Sequence, residues 1–399
     1  MSGSGGLLTP GNREEISALL TQCGADGWLL YDFHDQNPLA QRLLAPGRTT
    51  RQAFALFPRH AEPTLVRHEI EASAWTRWPW ESRVYRGWRE LAGVLGDLIA
   101  KMDVLAMEVS MDGTLPSVDR VPYGVVEWVR SLGPSIVSSA ELVTALHSRW
   151  SSSGLALHKV SAEIVRRTAM AAFDRSARAV SDGSPLRETE LMDWIRGELR
   201  SNGLADQEDC IVAGGARTAD PHYEPSGGGE LLEAGDVVLI DVWGRQPPDG
   251  IPADQTWMGF LGSQPPDRLQ ELWSGVREAR DTALAFLSER AARRESVCGW
   301  EVDRVARQSL AKRALDSWFV HRLGHSIDSE LHGAGPNLDD LETHDERQLI
   351  PGIGFSVEPG VYVLGELGVR SEVNVYWGTD GPLVTPGEIQ EQLLVVRDT

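Results

Sequence analysis

The chain has 399 residues, of which 41% are hydrophobic and 24% are charged, and its formal net charge is −20 at pH 7. This is ordinary globular composition, and the length favours two domains over one. The negative charge repels phosphate backbones, so nucleic acid is not an expected partner. No apolar run approaches the roughly 18 residues that a membrane span needs, and we therefore expect no membrane partner.

The N-terminus and the cysteines bear on location. Residues 1–12, MSGSGGLLTPGN, lack the charged start and apolar core of a secretory signal peptide, and we expect them to be disordered. Cys23, Cys210 and Cys298 form no C-x-x-C motif and no paired spacing. They are typical of reduced thiols rather than of a disulfide framework or a zinc knuckle, which predicts a cytoplasmic protein.

Residues 1–150 predict a small α/β domain. Apolar runs between turn residues predict strands at 28–33, 53–57, 64–67, 104–109 and 135–138. Amphipathic patterns predict helices at 13–23, 86–101 and 122–131. The polar stretch of small residues at 151–158 is the predicted linker to the rest of the chain.

Residues 159–399 predict a second domain with interleaved helices and strands. Helical periodicity begins at Ser161, returns after Thr189, and recurs at 268–292 and 300–315. Strands are predicted at 237–242, 354–358, 369–376 and 393–396. Because several strands return only late in the chain, the order predicts an α+β domain rather than a regular β-α-β repeat.

Four acids lie within or beside apolar, strand-like segments of this second domain. They are Asp241 in VVLIDVWG, Asp254 in PADQTWMGF, Glu358 in GFSVEPGVY and Glu372 in GVRSEVNVY. An ionised carboxylate buried in a sheet is costly unless it is paired or bound to a metal. Residues 321–333 add three histidines in HRLGHSIDSELHG. A lone histidine is more often structural, but four such acids together with a histidine favour a metal site.

From residue 159 onward these motifs resemble the pita-bread metallopeptidases, the superfamily of methionine aminopeptidase, aminopeptidase P and prolidase. Residues 1–150 more loosely resemble the N-terminal domain of its prolidase and creatinase branch. The resemblance implies a pita-bread catalytic domain at 159–399 preceded by a smaller creatinase-like α/β domain. It also implies five metal ligands, which are Asp241, Asp254, His325, Glu358 and Glu372. This chain has Ser326 and Asp328 where the family usually has glycines, so the turn after His325 is expected to differ.

The family arrangement implies a role for each residue of the site. Four carboxylates and one imidazole suit two divalent cations, for which we expect Mn²⁺, with Co²⁺ or Zn²⁺ as alternatives. Glu358 would also shuttle a proton to the leaving amine, and His332 would stabilise the oxyanion. His222 would line the substrate pocket. Arg370 would orient acidic ligands, with a plain ion pair on a strand as the equal alternative. Thr256 is a weaker supporting candidate, and His321 is expected to be structural.

The resemblance narrows the reaction without fixing it. With all five ligands present, we expect hydrolysis of the bond before proline in small Xaa-Pro dipeptides by a homodimer. The alternatives are an Xaa-Pro aminopeptidase that acts on longer peptides and a non-catalytic peptide-binding module. Organophosphate hydrolysis is left open as a side activity. A dipeptidase must reject longer chains, either by a wall or by a cation that binds the substrate carboxylate. The segment before EPG offers only Arg347 and His344 for such a contact, so the cation could also come from elsewhere, such as an N-domain arginine of the partner chain.

Overall fold

The computed structural model describes residues 6–204, 208–247 and 250–396. Contacts divide the chain into two compact units, Met1–Ser148 and Arg149–Thr399. Residues 1–5 of the predicted disordered segment lie outside the described residues. The prediction is wrong for residues 6–12, because Leu8 is buried, its N–H donates to Leu43 O over 3.0 Å, and Pro10–Asn12 forms a 3-10 turn.

The first unit contains a six-stranded mixed sheet. Its strands are β1 Gly27–Asp32, β2 Ala53–Pro58, β3 Thr64–His68, β4 Glu81–Tyr85, β5 Val104–Met107 and β6 Ser135–Ser138, arranged in the order β4-β3-β2-β1-β5-β6. The α-helices are α1 Arg13–Gln22, α2 Pro38–Leu44, α3 Trp88–Ile99, α4 Tyr123–Ser131 and α5 Ala140–Leu146. Leu91, Leu95 and Ile99 on one face of α3 pack into the core beside Leu29 and Leu105 of the sheet. A spacing of four residues thus produced the buried helix face.

Three elements of this unit escaped prediction. The edge strand β4 lies in a tryptophan-rich segment, and most of its residues are at least partly exposed, so it lacks an apolar run. The helices α2 and α5 have only seven residues each, too short for a clear helical period. Asn37 caps α2 by accepting hydrogen bonds from the N–H groups of Leu39 and Ala40.

The second unit begins with a long helix rather than with a linker. The helices are α6 Ser152–Ser181, α7 Glu188–Ser201, α8 Asp267–Arg293 and α9 Gly299–Ala311. The predicted linker at 151–158 is therefore wrong. Ser151 is the N-cap of α6, and its side chain accepts a hydrogen bond from Gly154 N, so the serines initiate a helix.

The strands of the second unit form two four-stranded sheets and a separate hairpin. They are β7 Asp209–Gly214, β8 Val237–Gly244, β9 Ala253–Leu261, β10 Ser326–Ile327, β11 Gly354–Val357, β12 Gly360–Val363, β13 Leu367–Arg370, β14 Val373–Gly378, β15 Gly381–Thr385 and β16 Leu394–Val396. The sheet orders are β16-β9-β8-β7 and β10-β11-β14-β15, while β12 pairs with β13. Helices α6 and α7 share a core with the first of these sheets, and α8 and α9 share a core with the second.

The strand predicted at 369–376 is interrupted in the structure. Residues before Ser371 pair with β12, whereas residues from Val373 onward pair with β11 and β15. Ser371 and Glu372 form the break, and the N–H of Ser371 donates to Pro359 O over 3.2 Å. A sequence in which apolar and polar residues alternate cannot reveal a change of partner, since both halves satisfy the same pattern.

Among the residues that the structure describes, the helices are too short or too polar to cross a membrane.

Candidate metal centre

Strands β8 and β9 bring two of the predicted ligands to one face of their sheet. In this antiparallel pair Asp241 lies opposite Thr256, and Trp243 lies opposite Asp254. Side chains alternate along a strand, so these four project from the same face. The intervening Ile240 and other alternate residues pack on the opposite face, in the core shared with α6 and α7. The alternation therefore explains why acids interrupt the apolar run.

His325 and Glu358 are positioned by the pairing of β10 with β11. Ser356 accepts a hydrogen bond from His325 N at its hydroxyl over 2.9 Å, and the same hydroxyl donates to Glu358 Oε1 over 3.0 Å. The N–H of Ser356 in turn donates to His325 O over 2.9 Å. A Cβ on Gly324 would lie 2.0 Å from Ser356 O, which explains the glycine before the histidine. One serine thus orients two predicted ligands.

Glu372 is presented by the break between β13 and β14. Its N–H donates to Thr256 O over 3.3 Å, which ties the break to β9. Two residues later, the Asn374 side chain donates to Asp254 O over 2.8 Å and accepts from Asp254 N over 2.9 Å. The departure from regular strand geometry therefore places Glu372 beside Asp254.

The five predicted ligands surround one small volume. His325 Nε2 lies 3.4 Å from Asp254 Oδ2 and 3.6 Å from Glu358 Oε1. The Thr256 hydroxyl lies 3.2 Å from Asp241 Oδ1 and 3.0 Å from Glu372 Oε2. Asp254, His325 and Glu372 each offer a ligand atom within 4.8 Å of the other two. These distances join the two pairs of acids into a single cluster.

The cluster contains buried acceptors without donors. Asp254 Oδ1 and Glu372 Oε1 are buried and accept no hydrogen bond from the described residues. Burial raises the pKa of Asp254, and burial together with the neighbouring carboxylates raises the pKa of Glu372 well above its ordinary value. Such oxygens are costly without a partner, and a divalent cation is the partner that an oxygen-rich donor set suits. The residues present therefore fit a metal centre.

Arg370 supports the cluster from inside the protein. Only 4% of its surface is exposed. Its Nη2 donates to Asp241 Oδ2 over 2.6 Å, and its Nε donates to the Thr256 hydroxyl over 2.8 Å. Burial raises the pKa of Asp241 to about 7, although Arg370 opposes the shift. Arg370 therefore forms an ion pair on a strand, and the partner in that ion pair is a predicted metal ligand.

The histidines near the cluster differ in whether they line the cavity. His332 and His222 are exposed and line the same cavity as the cluster, and the His332 ring lies 4.3 Å from the His325 ring. The charge of His325 lowers the pKa of His332. His321 is not among the lining residues, and its Nε2 is hydrogen bonded to the Tyr362 hydroxyl over 2.9 Å.

The cavity has a volume of about 730 Å³ and is lined by the five predicted metal ligands and by His222, His332 and Arg370. Sequence reasoning missed Trp243 and Tyr223, which also line it. Trp243 could have been found from the two-residue period that begins at Asp241. Tyr223 follows His222 directly, and its hydroxyl donates to the buried Glu188 over 2.7 Å.

Neither cation predicted for a substrate carboxylate lines this cavity. Arg347 is 3% exposed and donates to Asp345 Oδ2 over 2.6 Å and to Ala334 O over 2.6 Å. His344 is hydrogen bonded to Asp340 over 2.7 Å and stacks on Trp300. Both side chains are thus hydrogen bonded to residues that do not line the cavity.

Comparison with known proteins places this geometry in a family. The model of metallopeptidase family M24 matches residues 156–378, which is more than half of the chain. The chain belongs to that family. Family membership implies divalent metal ions, and the donor-poor acids described above offer a site for them. The predicted superfamily and branch are confirmed.

Relatives of the family resemble the chain over most of its length. The chain is 29% identical to the "Probable dipeptidase PepE" of Mycobacterium tuberculosis over 294 residues, which cover 69% of this chain and 74% of the relative. The crystal structure of dipeptidase PepE from Mycobacterium ulcerans superposes with a TM-score of 0.72 at 23% identity, covering 97% of each chain. The Xaa-Pro dipeptidase from Bacillus anthracis gives a TM-score of 0.65 at 22% identity, covering 96% of this chain and 99% of the other. These superpositions confirm the predicted two-domain pita-bread fold.

Proposed function

We propose that the protein is a dimetal-dependent peptidase that hydrolyses the bond before proline in Xaa-Pro dipeptides. The observation that carries this proposal is the cluster of buried acids beside His325, in which Asp254 Oδ1 and Glu372 Oε1 have no donor within residues 6–204, 208–247 and 250–396. A member of metallopeptidase family M24 with such a cluster is expected to hydrolyse peptides. The dipeptidase and Xaa-Pro dipeptidase names of its relatives favour small substrates that contain proline.

The donor set favours two divalent cations, and we propose Mn²⁺. Four carboxylates carry a total charge of −4, which two divalent cations offset, and oxygen-rich sites suit Mn²⁺. Asp241, Asp254, His325, Glu358 and Glu372 would hold the two ions. When bound, the cations would polarise the scissile carbonyl and lower the pKa of a water molecule that attacks it.

The protein groups would supply orientation and proton transfer. The Glu358 carboxylate would take the proton of the attacking water and deliver it to the leaving nitrogen of proline. His332, at the cavity surface, would donate a hydrogen bond to the oxygen on which negative charge develops. Arg370 would hold Asp241 in place through the contact of 2.6 Å. His222, which also lines the cavity, would contact the substrate.

One observation favours a second candidate, an Xaa-Pro aminopeptidase acting on longer peptides. The cavity volume of about 730 Å³ lies in the range of pockets that hold drug-sized ligands, which exceeds the need of a dipeptide. Arg196 lines the cavity, but its Nε and Nη1 already donate to Asp209 over 2.7 Å and to Asp193 over 3.2 Å. A weak carboxylate clamp would allow longer chains to bind.

The decisive experiment compares three peptides with one preparation. Metal-stripped protein, resupplied with Mn²⁺, is offered alanyl-proline, alanyl-prolyl-alanine and alanyl-alanine. We expect kcat/KM for alanyl-proline to exceed that for the tripeptide by about tenfold, or about 1.4 kcal/mol in transition-state binding. A better tripeptide would identify the aminopeptidase, and binding without turnover would identify a peptide-binding module.

Two further properties stay proposals. We propose a homodimer, since two-fold dimers are the commonest soluble assembly. A monomeric mass in light scattering of the active protein would contradict it. The three cysteines are thiols, with Cys210 buried, which supports the proposed cytoplasmic location.

A further inference from the structure

The loop that carries His332 is closed by a buried carboxylate. Asp328 is 1% exposed, and its two oxygens accept hydrogen bonds from Glu330 N over 3.0 Å and from Ala334 N over 2.9 Å. The N–H of Asp328 also donates to Glu330 O over 3.1 Å. One side chain therefore spans both ends of the segment 330–334, which contains His332.

The residue after His332 fits this closure. Gly333 N donates to Ser326 O over 2.6 Å, and a Cβ on Gly333 would lie 2.8 Å from the Asp328 carboxylate. A side chain at this position would displace the carboxylate that holds the loop. The aspartate and the glycine thus act as a pair, which gives a physical reason for an acid at position 328.

A second contact ties the loop to a strand that bears a predicted ligand. Arg245 follows β8 directly, four residues after Asp241. Its Nη1 donates to Ser329 O over 2.8 Å. The carbonyl of Ser329 belongs to a buried residue, so this charge-assisted hydrogen bond is shielded from water more than a surface contact would be. The position of the loop relative to β8 therefore depends on Arg245.

The ring of His332 depends on this scaffold for its own position. In the part of the chain that the structure describes, its imidazole makes a ring contact with His325 but no hydrogen bond. An exposed side chain with rotatable bonds is oriented only as well as its backbone is held. Displacing a catalytic group by about 1 Å can cost as much as 10²-fold in rate.

We propose that Arg245 is a positioning residue, which acts with Asp328 to hold the His332 loop against β8. The inference rests on the proposed function, because it assigns Arg245 an effect on catalysis through His332. Arg245 is not among the residues that line the cavity, so it acts without contact with the substrate.

The test is a double-mutant cycle on the Mn²⁺-loaded protein with alanyl-proline. Arg245→Met removes the donors but retains an apolar stem, and we expect kcat to fall about tenfold with KM within twofold. Arg245→Lys can still donate to Ser329 O and should recover kcat to within about threefold of the wild type. In the His332→Ala background, Arg245→Met should leave kcat unchanged. Arg293→Met, at an exposed helix end, is the matched control and should have no effect.

A readout independent of activity is amide hydrogen exchange of residues 326–336 in metal-free protein. Arg245→Met should accelerate exchange there at least about fivefold, while Arg293→Met should not. Equal losses of kcat in the wild-type and His332→Ala backgrounds, or unchanged exchange, would overturn the inference. If the wild type fails to cleave alanyl-proline, the proposed function is wrong. If the wild type cleaves it and Arg245→Met is equally active, only the role of Arg245 is wrong.

Discussion

Buried acids occur in both units of the chain, and the number of their hydrogen-bond donors distinguishes them. In the first unit the fully buried Glu108 accepts from Trp28 Nε1 over 2.6 Å, from Ser139 Oγ over 3.2 Å and from Asn37 Nδ2 over 3.3 Å. In the second unit Asp254 and Glu372 each have a buried oxygen that accepts none from the described residues. Burial alone therefore does not favour a metal ligand, whereas two buried carboxylate oxygens beside a histidine, with no donor among the described residues, do.

The second unit also contains a buried acid whose two oxygens both accept hydrogen bonds, so the same comparison can be made within one unit. Glu188 is fully buried and accepts from Gly214 N, Arg217 Nε, Tyr223 OH and Glu230 N. It lies at the start of α7 and anchors the segment that leads to His222. Glu188 thus stabilises the pocket wall, whereas Asp254 and Glu372 each keep one oxygen without a donor among the described residues.

The largest expected effect follows from removing a carboxylate from the cluster of proposed metal ligands. Glu372→Gln should reduce hydrolysis by more than roughly 10–100-fold, which is the usual cost of losing a residue that only supports a metal ligand, because a proposed metal ligand is itself lost. Since burial and the neighbouring carboxylates raise the pKa of Glu372, the neutral glutamine should not lower the Tm of the metal-free protein. Scanning calorimetry and metal analysis check both statements. A large fall in Tm with activity retained would contradict them.

An intermediate effect is expected at Glu188, whose two oxygens both accept hydrogen bonds. Glu188→Ala leaves buried donors such as Gly214 N without an acceptor, which should lower the free energy of unfolding by about 1–3 kcal/mol. Metal content should stay that of the wild type. Denaturant titration measures the change, with Glu188→Gln as the milder control. Loss of bound metal without loss of stability would show that the two classes of buried acid are not distinct.

The smallest effect is a pH dependence in the first unit. Burial raises the pKa of Glu108 to about 7 from an ordinary 4.5. The folded state thus holds a proton that the unfolded chain releases, so stability is greatest below about pH 4.5 and falls as pH rises to about 7. The Tm advantage of the wild type over Glu108→Gln should be larger by several degrees at pH 5 than at pH 8. An advantage that grows with pH would contradict the assigned shift.

The sequence predicted the site better than the elements that carry it. The order of acids and the histidine in the resembling motifs predicted a cluster that the fold brings together, although the role of each residue stays a proposal. The break at Ser371 and Glu372 was missed, because changing strand partners leaves the apolar pattern intact. Helix α6 begins at Ser152, before the predicted start at Ser161. The serines are typical of a linker in sequence, whereas in the structure the Ser151 side chain caps the helix by accepting from Gly154 N.

The supporting contacts were the hardest to predict. Asn374 holds Asp254 through its backbone, 120 positions away in sequence. Arg245 reaches Ser329 across 84 positions. No local period links such residues, since they are brought together only when the two sheets of the second unit fold. Thr256, predicted as a weaker supporting residue, has its hydroxyl within hydrogen-bond distance of two of the predicted ligands.

The most direct test of the central claim is the metal stoichiometry of the purified protein, measured together with hydrolysis. After chelation and titration with Mn²⁺, we predict two ions bound per chain and recovery of alanyl-proline cleavage as the sites fill. Asp254→Ala should lose a proposed metal ligand and with it nearly all turnover. Full hydrolysis by exhaustively chelated protein, or by Asp254→Ala without bound metal, would contradict the account.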